Sequence, residues 1–498
     1  MKLTELLAGV GTEPVASSKA KADVTGLCAD SRKVKAGDLF IALQGGKADG
    51  ANYAQEAVQK GAVAVLSEKP LPGLGVPVFI TSGTRKALGF IAGNFYGNPA
   101  RELVLLGVTG TNGKTTTAWL VDSICTAGGA AVGVFGTIEV RWPGVKRVPT
   151  HTTPDPIELH KTMREMLDSG VDTVVMEVSS HAITQDRIHG LTFRAAGFTN
   201  LSRDHLDYHK DMEAYFQAKR RLFTENLSPG GVAVVNGDDT YTNRIYSEMR
   251  QLKRTAWKFS RFGNAEISAA GTELTVNGIK ATLKTPAGDI AVKSSLVGAH
   301  NLDNILTAAG IALGFGAGRK DVVEGIERLK RVPGRMDKID GKGINVLVDY
   351  AHTDDALAKA MESARGITKN KLFVVFGCGG ERDTGKRPLM GEIAATADLP
   401  IVTSDNPRGE DPDEIIAEIL PGLEKGGMRR MSPAKARTGD RGYIVEADRA
   451  AAIALAISLA KEGDTVLIAG KGHEGYQEQG GEKKPFDDLA EARKALGS

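Results

Sequence analysis

Apolar runs recur along the chain at the spacing of strands that alternate with helices. In the first hundred residues, an apolar run at 38–43 precedes Gly and Asp turn residues. A helical stretch at 53–60 and a second apolar run at 62–66 follow. This order indicates strand, helix, strand. Because the Asn98-Pro99 pair marks a boundary, we predict a first domain over residues 1–98.

Buried-strand patterns continue at 103–108, 173–176 and 231–235, with helical stretches between them. This alternation is typical of a parallel α/β sheet. Between residues 255 and 296 the pattern changes to short alternating segments, which indicate an antiparallel hairpin insert. We predict that the second domain spans residues 99–334 and that its sheet is mainly parallel.

A third unit, residues 335–498, contains four strand-like runs, at 345–348, 372–376, 400–403 and 465–469. Each run is followed directly by a polar or Gly-rich turn. The turns are Asp349-Tyr350-Ala351-His352, Gly377-Cys378-Gly379-Gly380-Glu381-Arg382-Asp383, Ser404-Asp405-Asn406-Pro407-Arg408 and Gly470-Lys471-Gly472-His473-Glu474. Ligands of open α/β sheets bind outside the carboxyl ends of the strands. The four turns therefore predict a polar cleft at that edge. The predicted fold class is α/β with three domains, the last of them Rossmann-like.

Composition narrows the class of protein. The 498 residues are 41% hydrophobic and 25% charged, with a formal net charge of +2 and dispersed Lys and Arg, so a nucleic-acid-binding role is not indicated. Cys28, Cys125 and Cys378 are far apart, which favours reduced thiols over a zinc site or disulfides. Because neither a signal peptide nor an apolar run of membrane-spanning length is found, we expect a cytoplasmic protein without membrane insertion.

The strongest chemical motif is the loop Gly110-Thr111-Asn112-Gly113-Lys114-Thr115-Thr116, between a predicted strand and a helix. Glycines let the backbone approach phosphates, and a helix N-terminus provides amide donors. Lys114 is expected to reach the β- and γ-phosphates and Thr115 to hold Mg²⁺. The loop is shorter than the usual P-loop, because Val108 stands six residues before Lys114. The alternative is a plain turn, but the strand-loop-helix context favours phosphate binding.

Two further features suggest chemistry near that loop. Glu177 ends an apolar strand, where its carboxylate could hold Mg²⁺ directly or through water; the alternative is a solvated strand end. The segment Asp204-His205-Leu206-Asp207-Tyr208-His209 is dense in titratable groups, which suggests a site. A polar loop is an equally good interpretation of that segment alone, and no thiol supports a zinc site.

Together these residues resemble the Mur ligase family over nearly the whole chain. Asp30-Ser31-Arg32, with Gly37-Asp38-Leu39-Phe40 behind it, looks like the UDP-binding domain of that family. The 110–116 loop, the Glu177 strand and His300-Asn301-Leu302-Asp303-Asn304 look like its ATP-binding domain. Arg335 and the Asp349 turn look like the contribution of the C-terminal domain to ATP. The tetrad Asp405-Asn406-Pro407-Arg408 resembles a diaminopimelate-recognition motif.

The resemblance implies a role for each matching position. Residues that would bind ATP are Gly110, Thr111, Asn112, Gly113, Lys114, Thr115, Thr116, Asn301 and Arg335. Residues that would bind the UDP-muramyl peptide are Ala29, Ser31, Gly46, Lys47, Ala48, Thr152, Thr153, Ser179, Gln185 and Arg187. Residues that would bind the diamino acid are Arg382, Asp405, Asn406, Pro407, Arg408, Gly470 and Glu474. The implied catalytic residues are Lys114, Glu177, His205 and Lys219; the implied metal ligands are Thr115, Glu177 and Lys219, the lysine as a carbamate (N6-carboxylysine).

The activity that the resemblance implies is ATP- and Mg²⁺-dependent ligation of meso-2,6-diaminopimelate in peptidoglycan precursor synthesis. The acceptor would be the D-glutamate γ-carboxylate of UDP-N-acetylmuramoyl-L-Ala-D-Glu, activated as an acyl phosphate. We expect a monomer whose partners are these small molecules. One alternative is the lysine-adding muramyl ligase, which normally lacks the arginine of the tetrad. Folylpolyglutamate synthetase lacks the 30–32 motif, and a non-catalytic nucleotide-binding protein would not need Lys114, Glu177, Lys219 and Arg335 together.

Overall fold

The computed structural model describes residues 1–14, 23–45, 48–438 and 440–497, which build three sheet-centred α/β units and a small two-stranded sheet. The elements of the first unit are α1 Leu3–Leu6, β1 Glu13–Pro14, β2 Gly26–Cys28, β3 Asp38–Ile41, α2 Ala54–Gln59, β4 Ala64–Ser67, β5 Val78–Ile80 and α3 Thr84–Phe95. Its sheet has the order β1-β5-β4-β3-β2, and only β1 is antiparallel to its neighbour. Along β3, Leu39 and Ile41 pack with α3 while Phe40 packs with α2, so both faces of the sheet are buried.

The central unit is the largest. Its elements are β6 Val104–Thr109, α4 Lys114–Ala127, β7 Val132–Phe135, β8 Val140–Trp142, β9 Val145–Arg147, α5 Pro156–Asp168, β10 Thr173–Glu177, α6 Ser180–Thr184, β11 Phe193–Phe198, α7 Met212–Thr224, β12 Leu227–Asn236, α8 Thr240–Gln251, β13 Thr255–Ser260, β14 Ile267–Thr275, β15 Gly278–Lys284, β16 Ile290–Ser294, α9 Ala299–Phe315 and α10 Arg319–Arg328. They form one 11-stranded sheet in the order β16-β15-β14-β13-β12-β11-β6-β10-β7-β8-β9.

Successive residues of β6 explain why the strand lies at the centre of this sheet. Leu106 and Val108 belong to the core under α4, α9 and α10, whereas Leu105 belongs to the core under α5, α7 and α8. A strand with apolar side chains on both faces is stable only between two helical layers. The sheet therefore holds the carboxyl end of β6, and the loop that follows it, in a rigid frame.

The third unit repeats this plan with fewer strands. Its elements are β17 Asp337–Gly341, β18 Ile344–Asp349, α11 Asp354–Ile367, β19 Leu372–Phe376, α12 Lys386–Ala394, β20 Leu399–Val402, α13 Pro412–Lys425, α14 Pro433–Thr438, β21 Ile444–Val445, α15 Arg449–Leu459, β22 Thr465–Ala469, β23 Tyr476–Gln479, β24 Glu482–Pro485 and α16 Asp488–Leu496. The main sheet has the order β17-β18-β22-β19-β20-β21 and is parallel except at β17; β23 and β24 form a separate hairpin.

The predicted fold class, α/β with three domains, is confirmed, while the limits at residues 98 and 335 stay predictions. One expectation differs in detail. Strands β14 to β16 are antiparallel as predicted, but they extend the central sheet and do not form a separate insert. The reason is that Ile279, Ala281 and Leu283 are buried in the core under α9 and α10. In the described part of the chain, every helix is too short or too polar to cross a membrane.

Candidate functional site

The loop at residues 110–116, which is predicted to bind phosphate, lies at the carboxyl end of β6 and leads into α4. Gly110 and Gly113 have φ values of 147° and 85°, in the region that favours glycine. A Cβ on Gly110 would lie 1.9 Å from the Thr199 hydroxyl oxygen, and one on Gly113 would lie 2.2 Å from Asn304 Oδ1. The chain can therefore make this turn only with glycines, which leave the N-terminal amides of α4 open to an anion.

Two lysines, the half-buried Lys114 and the buried Lys219, meet at this loop. Lys114 Nζ donates to the carbonyl oxygens of Gly110 at 2.9 Å and Thr111 at 2.8 Å. Lys219 Nζ, from α7, donates to the same Gly110 oxygen at 2.8 Å. Burial lowers the pKa of both amines, and the charge of Lys114 lowers that of Lys219 further. A neutral Lys219 amine is nucleophilic, so the environment suits covalent modification of that nitrogen.

Glu177 closes the other side of the loop. Its buried carboxylate accepts from the Thr115 hydroxyl at 2.9 Å, from the Thr137 hydroxyl at 2.9 Å and from the Thr137 amide at 2.8 Å. Arg335, from the third unit, donates to Thr115 Oγ1 at 3.1 Å and stacks over Tyr350. The hydroxyl that should contact a metal ion thus lies between a carboxylate of the central unit and a guanidinium of the third.

The residues assigned to the muramyl peptide form a connected group beside Glu177. Thr153 donates to the Glu177 carbonyl oxygen at 2.8 Å and to Ser179 at 3.4 Å, and Thr152 lies 3.1 Å from the Thr137 hydroxyl. Arg187 donates to the Thr153 carbonyl oxygen at 2.8 Å and to Gln185 at 2.8 Å. The structure therefore brings these five residues together, although they come from three segments of the chain.

The histidine-rich segment lies against the same lysines. Asp204 Oδ1 accepts from the His205 amide at 2.8 Å, and the His205 ring packs edge-on to His181. Burial lowers the pKa of His205 to about 4, although Asp204 opposes that shift. His209 lies 3.0 Å from the Ser180 hydroxyl. The low pKa favours the neutral imidazole of His205, the form that can bind a metal ion.

A cleft of about 450 Å³ lies between the central and third units, and its lining includes Lys114, Thr115, Thr137, Thr152, Ser179, His205, Lys219 and Arg335. Asp355 of α11 holds the two units together: its carboxylate accepts from Asn112 at 2.8 Å and Ser202 at 2.6 Å. Asn304 lines the cleft, but Asn301, predicted to contact ATP, lies behind it. The Asn301 amide donates to the Val297 carbonyl oxygen at 2.8 Å and accepts from Asn304 at 2.9 Å. Asn301 therefore contacts Asn304, and its predicted contact with ATP stays a prediction.

The predicted diamino-acid residues gather at the carboxyl edge of the third sheet. Asn406 donates to Glu474 at 2.8 Å, and the buried Asp405 carboxylate lies against Gly470, where a Cβ would be 2.3 Å from Oδ2. Pro407 is buried and forms the turn before Arg408, which has a φ of 53° and donates to the Gly380 carbonyl oxygen at 2.6 Å. Arg382 is exposed on the neighbouring turn.

The predicted uridine residues lie in the first unit. Ser31 is 8% exposed and donates to Glu56 at 3.1 Å, while Ala29 is half-buried and Ala48 is exposed. Gly46 and Lys47 lie outside the described residues. Hydrogen bonds do not connect Ser31 directly to the cleft, because its partners are Glu56 and, through its carbonyl oxygen, Lys60.

Sequence reasoning missed Thr137 and Asp355. Thr137 follows the buried strand β7 by two residues, so the rule that located Glu177 would have found it. Asp355 stands at the start of α11, where acidic residues are common for helix stability alone. Its contact with Asn112 joins residues 243 positions apart, so the motif order gives no indication of it.

Comparison with known proteins matches all three units to one family. The model of the Mur ligase family catalytic domain matches residues 23–96, that of the Mur ligase middle domain 108–312, and that of the Mur ligase glutamate ligase domain 334–472. The predicted resemblance is thereby confirmed.

Full-length relatives agree with the family models. The UDP-N-acetylmuramoyl-L-alanyl-D-glutamate–2,6-diaminopimelate ligases of Gloeobacter violaceus and Geobacter metallireducens are 44% and 43% identical, and each alignment covers 100% of this chain and 98% of the relative. A solved structure of a ligase with the same name superposes with a TM-score of 0.68 at 34% identity, over 95% of both chains. The chain belongs to the Mur ligase family of ATP-dependent amide-bond ligases.

Proposed function

We propose that this chain joins meso-2,6-diaminopimelate to the D-glutamate γ-carboxylate of UDP-N-acetylmuramoyl-L-Ala-D-Glu. The proposal rests on one observation: Asn406 is hydrogen-bonded to Glu474, with Arg408 in the same turn, on the unit whose Arg335 reaches the phosphate-binding loop. A diamino-acid site and an ATP site would then be linked through Tyr350, which Arg335 covers and which donates to Glu474 at 3.4 Å. The full-length relatives support the same substrate.

The side chains of the cleft suit transfer of a phosphoryl group to the acceptor carboxylate. Lys114 and the amides at the start of α4 would bind the β- and γ-phosphates, with Arg335 opposite them. Thr152, Ser179 and Arg187 would hold the muramyl peptide with its γ-carboxylate in line with the γ-phosphate. The diamino acid's amine would then attack the acyl phosphate, and inorganic phosphate would leave.

Magnesium fits the donor set in the cleft. Among the described residues, no group of three or more His, Cys, Asp and Glu side chains could hold a metal ion without help. Thr115 and Glu177 provide oxygen donors, and Mg²⁺ in nucleotide sites typically uses one or two protein oxygens together with phosphates and waters. When bound, it supplies positive charge against the phosphoryl oxygens. A carbamate on Lys219, with His205 nearby, would add further ligands.

Arg408 is the residue that we expect to select the diamino acid. Diaminopimelate differs from lysine by a second carboxylate at its far end, which a guanidinium can bind with two parallel hydrogen bonds. The guanidinium of Arg408 donates to the Gly380 carbonyl oxygen and lies 3.8 Å from the Glu478 carboxylate, which leaves further N–H donors for a ligand. Lysine would place an ammonium there instead. Two charged hydrogen bonds correspond to a preference of roughly a hundredfold or more.

The test compares kcat/KM for meso-diaminopimelate and L-lysine in wild type, Arg408→Ala and Arg408→Lys. We expect wild type to prefer diaminopimelate strongly and both variants to lose most of that preference, since Lys keeps the charge but not the planar fork. Arg430→Ala, which removes an exposed arginine of the same unit, is the matched control. Equal use of both amino acids by wild type would refute the substrate while leaving the ligase activity intact.

We infer that the reaction takes place in the cytoplasm, where UDP-linked precursors and ATP are available. The three small-molecule substrates are then the partners of the protein, and we expect it to act as a monomer. Size-exclusion chromatography with light scattering, with and without the UDP-dipeptide, tests the last expectation.

A further inference from the structure

Lys471 is a fully buried lysine beside the predicted diamino-acid residues, with no role in the proposed reaction. It follows β22, and its side chain is 0% exposed. Its neighbours Gly470 and Gly472 have φ values of 120° and 56°. A Cβ on Gly472 would lie 2.7 Å from the Gly334 carbonyl oxygen, so a larger residue there would collide with backbone. The two glycines turn the lysine into the protein interior.

Inside the protein, the Lys471 ammonium completes a triangle of hydrogen bonds. It donates to Asn406 Oδ1 at 2.9 Å and lies 3.2 Å from Glu474 Oε2. Asn406 Nδ2 donates to the same Glu474 oxygen at 2.8 Å. Because an ammonium can only donate, this arrangement allows one orientation of the Asn406 amide: oxygen toward Lys471, nitrogen toward Glu474.

The triangle also determines what the two side chains offer a ligand. With Oε2 taken by Lys471 and Asn406, Glu474 keeps Oε1, whose contact with the Tyr350 hydroxyl is long at 3.4 Å. Asn406 uses its oxygen for Lys471 and for the Glu478 amide at 2.9 Å, so it can offer a ligand only its second N–H. A carboxylate oxygen suits an ammonium, and an N–H suits a carboxylate. These are the two ends of an amino acid.

We propose that Lys471 is a positioning residue for the amino-acid substrate: it holds Asn406 and Glu474 in the orientation that binds the substrate's ammonium and carboxylate groups, without touching the substrate. The inference rests on the proposed function. Without the ammonium, the Glu478 amide is the remaining donor to the Asn406 oxygen, so this side chain is held less firmly. Glu474 also loses the cation that holds its Oε2. Affinity for the amino acid would fall while phosphoryl transfer stayed intact.

The test is steady-state kinetics of Lys471→Met, which keeps the length of the chain and removes the donors. We expect KM for meso-diaminopimelate to rise at least about tenfold, the effect of weakening one charged hydrogen bond. KM for ATP and for the UDP-dipeptide should stay within about twofold, and kcat at saturating amino acid should fall much less than affinity. Lys483→Met is the matched control, because that exposed lysine contacts the same Tyr476 ring but neither recognition side chain.

A double-mutant cycle separates positioning from a merely structural role. If Lys471 acts through Asn406, the variant Lys471→Met with Asn406→Ala should be little worse than the poorer single variant. Additive losses, an unchanged KM for diaminopimelate, or equal losses for all three substrates would overturn the proposal.

If Lys471→Met does not fold, Lys471→Gln replaces it, because glutamine keeps a donor toward Asn406. Binding of ADP is the check that each variant is folded. If neither variant folds, the lysine serves stability and the proposal is wrong. Failure of the proposed function is seen separately, as a wild-type enzyme that does not use diaminopimelate.

Discussion

Replacing Glu177 with glutamine removes the negative charge of the side chain but keeps its shape. The carboxylate accepts three hydrogen bonds: the Thr137 amide donates to Oε1, and the Thr115 and Thr137 hydroxyls donate to Oε2. In the variant, the amide oxygen can still accept from the Thr137 N–H. The new NH₂ group can donate to both hydroxyl oxygens, which accept as well as donate. The hydrogen-bond pattern therefore survives.

Because the hydrogen-bond pattern survives, we expect a small loss of stability and a large loss of activity. Exchanging charged for neutral hydrogen bonds at a buried site should cost less than about 2 kcal/mol of folding free energy. Losing the negative charge beside the metal and phosphate should cost about 3–4 kcal/mol in the transition state, a decrease in kcat of roughly a hundred- to a thousandfold. Activity should therefore fall much more than stability.

The assay is phosphate release that depends on both substrates, measured over a series of Mg²⁺ concentrations, together with thermal unfolding. Glu158→Gln is the control, since it neutralises an exposed carboxylate of the same unit. We expect Glu177→Gln to need more Mg²⁺ and to remain slow at saturation. Activity within about threefold of wild type at equal Mg²⁺ would refute the metal role. A parallel collapse of Tm would instead indicate a structural role.

Three further variants test two lysines of the cleft and a buried histidine of α5. Lys114→Ala should lower kcat at least about a thousandfold with the fold intact; near-normal phosphate release would contradict the loop assignment. Lys219→Ala should be inactive and partly rescued by short carboxylates, whereas a bare ammonium in an active, Mg²⁺-loaded crystal would count against a carbamate. Burial lowers the pKa of His160 to about 4, so the folded state disfavours the charged imidazole. The neutral His160 therefore contributes to stability above pH 6.5, and this contribution is lost as the pH falls toward 4. His160→Gln should therefore flatten the decline in unfolding free energy over that interval, by up to about 3 kcal/mol; an unchanged slope would be the contrary result.

Strands with uninterrupted apolar runs could be predicted from the sequence. The runs predicted at 372–376 and 465–469 coincide with β19 and β22, because each is wholly buried and ends in a polar turn. Strand β11 escaped prediction because Arg194 and Gly197 interrupt its pattern. Arg194 is the exposed residue of the strand, and Gly197 lies where a Cβ would be 2.6 Å from Ile311 Cδ1. The glycine is required by the packing of α9 against the sheet, which is a tertiary effect.

In the candidate site, too, some features could be predicted from the sequence and others could not. Residues within one turn, such as Lys114 and Thr115, could be predicted because the loop and the helix after it are local structure. The contacts between distant residues could not, since Thr137 reaches Glu177 and Arg335 reaches Thr115 only through the assembled sheets. Lys471 stood in a predicted turn, but its burial depends on the φ values of two glycines and on Asn406, 65 residues away.

The shared carbonyl oxygen of Gly110 has a consequence for the protein before any reaction begins. Among the described residues, the hydrogen-bond acceptors of Lys114 and Lys219 are the neutral carbonyl oxygens of Gly110 and Thr111, so neither amine is bonded to an anion. A phosphate group entering the loop supplies that anion, and only the folded chain can bind it there. By mass action, nucleotide at a hundred times its Kd adds about 2.7 kcal/mol to the unfolding free energy. In a starved cell, the falling ATP supply would therefore make the protein less resistant to heat and proteolysis as well as less active.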